Sequence, residues 1–74
     1  MEAQAMSELG DAVRAQLTDE WRTTIEIADA IPKPGRKDLS THREMVRQHL
    51  VSLAKYGIAE RKDGDGLVKW RKAR

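Results

Sequence analysis

The chain has no cysteine and no phenylalanine, and its two prolines stand together at Pro32 and Pro34. Without cysteine there is no disulfide framework and no thiolate chemistry, which fits a reducing, cytoplasmic compartment. No apolar run approaches the roughly 20 residues that a helix needs to cross a bilayer. The N-terminal stretch "MEAQAMSELGDAV" is acidic and lacks a basic leading segment, so no secretory signal is expected. At 74 residues the chain makes one domain, and a core that small supplies only about 3–5 kcal/mol of stability. A deep substrate cavity is not expected, and neither is a small-molecule substrate.

Charge is plentiful but unevenly placed. Residues 1–32 hold two arginines against seven carboxylates, whereas residues 33–74 hold twelve lysines or arginines against five, so the halves carry net charges of −5 and +7. A basic half of this kind is the electrostatic footprint expected for phosphates, although a solvated basic surface has the same composition.

Apolar periodicity gives the elements. Met6, Leu9, Val13 and Leu17 recur at helical spacing, with Ser7 a candidate cap and residues 1–6 expected to fray. Thr23 with Glu26 is a capping box that opens a short helix through Ile27, Ala28 and Ile31. Trp21 just before it suits a short extended piece that packs on the core. Residues 32–40 read as a basic loop, with Leu39 returning to the core. Thr41 with Glu44 reads as a second capping box, opening the longest helix over 41–56. Val46, Leu50 and Leu53 form its apolar stripe; Arg43, Arg47, Gln48, Val51 and Lys55 lie opposite. Gly57 ends that helix, and residues 58–72 form a hairpin around Asp63-Gly64-Asp65-Gly66. Val68 and Trp70 share one face of the second strand; Lys69 and Arg71 share the other.

This order, an α+β arrangement of three helices followed by a two-stranded hairpin, resembles the winged helix-turn-helix family of DNA-binding domains. The resemblance rests on "TTIEIADAI" and "VRQHLVSLAKYGIAERKDGDG", where Leu50, Leu53, Gly57 and Ile58 match the family's passage from third helix to wing, and it covers residues 7 to 72. One departure is the segment from Ile31 to Ser40, which is longer than a minimal helix-turn-helix turn and leaves the angle between the helices open. Winged domains that bind left-handed DNA share "SLAKxG" and a later tryptophan. They rely on an Asn and a Tyr where this chain has Arg47 and Val51, which argues against that subfamily.

The resemblance implies a double-stranded DNA partner, read in the major groove by the third helix. Thr41, His42, Arg43, Arg47 and Gln48 are the candidates there, because arginine pairs with guanine O6 and N7, and glutamine with adenine N6 and N7. Lys33, Arg36 and Lys37 in the loop, and Arg61, Lys62, Lys69 and Arg71 along the wing, are candidates for phosphate contact. Asp63 and Asp65 at the tip argue against a tip contact. Useful specificity from so small a module suggests a homodimer, with the first helix as the candidate surface. The function expected is a small transcriptional regulator; the alternative is a protein–protein adaptor of the same fold. His49 reads as a boundary residue, and two histidines without a third donor do not make a metal site. No cofactor and no catalytic constellation is expected.

Overall fold

The structure is a computed structural model that describes residues 2–33, 35 and 38–73, with side chains from residue 8 on. Arg36 and Lys37 therefore lie outside the described residues. The chain is α+β: three helices and one small antiparallel sheet.

Helix α1 spans Glu2–Gln16 and passes straight through Ser7 instead of starting there. Glu2, Ala3, Gln4, Ala5 and Met6 are all good helix formers, so nothing obliges a later start. Val13 and Leu17 are buried, with Leu9 and Ala12 packed beside them. At the far end Arg22 Nη1 donates to the Gln16 carbonyl at 2.8 Å, placing a cation on the negative end of the helix.

Strand β1, Arg22–Thr23, leads directly into helix α2, Thr24–Asp29. The capping box is formed as expected: Glu26 N donates to Thr23 Oγ1 at 3.1 Å, and Thr23 N donates to Glu26 Oε1 at 3.0 Å. Hydrogen bonding to Thr23 holds the Glu26 carboxyl below its ordinary value. Ile27 and Ala28 go into the core, and Ile31 follows them just past the helix end.

Helix α3 runs Leu39–Lys55, with its N-cap three residues before the Thr41 that the Thr41–Glu44 pattern implies. Asp38 is the N-cap: its Oδ1 accepts from Thr41 N at 2.7 Å. A carboxylate at this position gains from the helix dipole as well as from the hydrogen bond, and so outcompetes the threonine. Thr41 is thereby a first-turn residue, and Leu39 stays exposed rather than tucking onto the core. Val46 and Leu50 are fully buried and Leu53 packs against them. The helix closes in a Schellman motif: Ile58 N donates to Leu53 O at 2.8 Å and Gly57 N to Ala54 O at 3.1 Å, with Gly57 at φ +78°.

Strands β2, Ala59–Gly64, and β3, Leu67–Lys72, form the hairpin. Its two-residue turn is Asp65-Gly66, with φ of 54° and 76°, the positive pair that a type I′ turn requires. The sheet has three strands, not two, in the order β1-β3-β2, because Arg22 pairs with Trp70 and Thr23 with Lys69. Ala59 and Trp70 are buried on the face that meets the helices, and the Trp70 indole N–H donates to Thr24 Oγ1 at 2.8 Å. Val68 and Trp70 thus share the inner face as the alternation predicts.

Candidate nucleic-acid interface

The side of α3 away from the core carries Thr41, Glu44, Arg47, Gln48, Val51 and Lys55, all exposed. These recur at helical spacing because Val46 and Leu50 commit the opposite side to the core. Glu44 sits at the centre of the group. It accepts from Arg47 Nε at 2.9 Å and from Arg47 Nη2, and also from Gln48 Nε2 at 3.3 Å. The Arg47 guanidinium holds the Glu44 carboxyl below its ordinary value, and Glu44 in turn raises Arg47. Arg43 turns toward α2, where its Nη2 lies 3.3 Å from Asp29 Oδ1. Its Nε is buried with no hydrogen-bond partner.

Charge on this helix is therefore more balanced than the count over residues 33–74 implies. Asp38 and Glu44 offset Arg43 and Arg47 over the first turns. The two ion pairs are exposed, and such pairs contribute only about 0–1 kcal/mol, so a phosphate or a base edge competes with them readily.

His42 does not belong to this surface. The sequence pattern places it among the groove-facing side chains, yet it is only 2% exposed. Its Nε2 lies 2.9 Å from the Ala28 carbonyl and 3.1 Å from that of Ile31. Both neighbours accept, so Nε2 carries the hydrogen and donates. His42 gives a second donor to the Ala28 carbonyl, which also accepts from Ile31 N at 3.1 Å, and reaches the Ile31 carbonyl just past the end of α2. It thereby fixes how α2 and α3 meet, which the long segment between them left open. The signal was present: His42 stands four residues before Val46 and eight before Leu50, in line with the buried stripe. His49 is a boundary residue, as expected; a Cβ placed on Gly10 of α1 would stand 3.5 Å from its ring.

The hairpin cations divide between two faces. Arg61 lies opposite Trp70 in the ladder, with its guanidinium 5.6 Å from the Trp70 ring and its Nε 3.2 Å from Asp63 Oδ1. Lys62, Lys69 and Arg71 occupy the outer face, away from the helices, and Lys62 is directly opposite Lys69. Arg71 pairs with Glu60 and lies 4.4 Å from the Trp21 ring centroid, while Lys62 Nζ lies 5.4 Å from the same ring. Trp21 is thus half-buried on the outer face of the sheet and does not join Trp70 in the core. Lys33 is exposed at the start of the loop.

Seven of the residues proposed from sequence therefore fall on two surfaces, while His42, Lys33 and Arg61 lie on neither. Thr41, Arg43, Arg47 and Gln48 share α3; Lys62, Lys69 and Arg71 share the sheet's outer face. No known protein family, no curated protein and no solved structure matches the chain. Among the described residues no helix is long and apolar enough to cross a membrane.

Proposed function

We propose that this chain is a duplex DNA-binding module of the winged helix-turn-helix kind, serving as a small transcriptional regulator. Helix α3 enters the major groove, and Arg61, the candidate hairpin cation on the sheet face that carries Trp70, follows the phosphate backbone. The observation that carries this reading is the position of α3: His42, Val46 and Leu50 fix one side of it to the rest of the fold, while Arg47 and Gln48 stand exposed on the other. Arginine and glutamine on one exposed helix face supply the donors that guanine and adenine edges accept. Arg43 supports it too. Its Nε has no partner and its ion pair with Asp29 is solvent-exposed, worth only about 0–1 kcal/mol, so little is lost when the side chain swings toward DNA.

The test is a titration of labelled duplex DNA at two salt concentrations. Phosphate contacts make affinity fall steeply as salt rises. Replacing Arg43 and Arg47 together by alanine removes binding and leaves the fold intact.

A second reading, a protein–protein adaptor of the same architecture, is favoured by two observations. Both α3 arginines are engaged by carboxylates, Asp29 and Glu44, and residues 1–32 are acidic. An adaptor shows no duplex binding even at low salt.

A further inference from the structure

We propose that the outer face of the sheet is a second, separate nucleic-acid surface: a stacking platform for single-stranded nucleic acid, with Trp21 taking a base and Lys62 and Lys69 taking phosphates. The antiparallel register puts Lys62 directly across from Lys69. Like charges facing each other on a sheet are destabilising, so this pairing works against the fold and calls for an anion. Immediately beside it is Trp21, the chain's one tryptophan outside the core, since Trp70 is 1% exposed.

The arrangement around the ring is asymmetric. Arg71, 4.4 Å from the ring centroid, is tied by its ion pair to Glu60, which holds the indole in place. Lys62, at 5.4 Å, is exposed and has no carboxylate partner among the described residues. A base that stacks on Trp21 displaces the Lys62 ammonium, which then meets the neighbouring phosphate. Three cations outnumber the two carboxylates near them, Glu60 beside Arg71 and Glu26 within electrostatic reach of Lys69, and so give this face the sign that a polyanion requires. An aromatic ring among cations separates a nucleic acid from a plain polyanion. A duplex keeps its bases stacked inside, so only a single strand can use the ring. The helices lie on the other side of the sheet, so the surface stands independently of α3.

Intrinsic fluorescence of the whole chain tests this directly, because Trp70 is buried whereas Trp21 is only half-buried. The probes are a twelve-nucleotide oligothymidylate, the corresponding oligouridylate, and an abasic deoxyribose-phosphate strand of equal length. The expected result is quenching by the base-bearing strands and binding about tenfold or more tighter than that of the abasic strand, in the range of one stacked base. The two base-bearing strands tell DNA from RNA as the source. Trp21→Leu removes the preference for base-bearing strands, whereas Trp21→Phe retains most of it and duplex binding is unchanged in both. Equal binding of the abasic strand, or binding without quenching, overturns the proposal using the unaltered chain alone. Loss of single-strand binding in the Arg43→Ala, Arg47→Ala variant overturns it as well, by showing one surface rather than two. Failure of the α3 reading appears instead as absent duplex binding with the fluorescence result intact.

Discussion

The ring nitrogen Nε2 of His42 lies 2.9 Å from the carbonyl oxygen of Ala28, joining the longest helix to the end of the helix before it. The imidazole is buried and shares its hydrogen with the Ile31 carbonyl at 3.1 Å, so one side chain serves two backbone acceptors. Replacing His42 with alanine leaves both carbonyls without that donor and opens a cavity, which should cost about 2–3 kcal/mol. Urea unfolding checks the value. A loss below about 0.5 kcal/mol, the range of a surface substitution, contradicts the bridging role.

Glu44 gathers the donors that α3 offers to a ligand, and it repels phosphate. The variant Glu44→Ala releases Arg47 and Gln48, so duplex affinity should rise several-fold at low salt and become more salt-dependent. Fluorescence anisotropy at two salt concentrations measures both. Weaker binding in this variant, with altered preference at one cytosine, shows instead that Glu44 accepts from the base.

Acid sensitivity follows from the caps. Hydrogen bonding to Thr41 holds the Asp38 carboxyl below its ordinary value of 3.8, as Thr23 does for Glu26 against 4.5. Carboxyls depressed in the folded state stabilise it above their ordinary values, and that stability drains away as pH falls through the depressed ones. Thermal midpoints should therefore be flat near neutrality and fall as pH drops below about 4.5, the ordinary glutamate value. The double variant Glu26→Gln, Asp38→Asn should start less stable and lose less on acidification. An unchanged acid slope contradicts the capping account.

Gly57 has open space where a Cβ would stand, so its requirement is the backbone alone, at φ +78°. Gly57→Ala should cost about 1 kcal/mol, or roughly 4–8 °C in Tm for a domain of this size. Scanning calorimetry reads this directly, and a Tm within one degree of the parent contradicts it.

Much of this architecture can be read from the residues because local chemistry and apolar period agree. Thr23 with Glu26, Gly57 after a leucine stripe, and Asp65-Gly66 between strands each specify a backbone conformation by themselves. What escapes depends on competition or distance. Two N-caps were available to α3, and Asp38 prevailed over Thr41 through its charge. Strand β1 is two residues long, too short for any periodicity to show. His42 lies in the apolar stripe, but its residue type suggests a surface, and only the carbonyls of α2 explain its burial. The meeting of Trp21 with Arg71 joins residues far apart in sequence through the sheet register. For the candidate site, the same limits apply: Arg47 and Gln48 emerge where helical spacing puts them, while the carboxylates that hold Arg43 and Arg47 come into view only with side chains in place.

The most direct test of the account is duplex titration of the parent chain beside the Arg43→Ala, Arg47→Ala variant at low and moderate salt. The expected result is salt-weakened binding by the parent and none by the folded variant. Duplex affinity that survives the double substitution contradicts the placement of α3 in the groove.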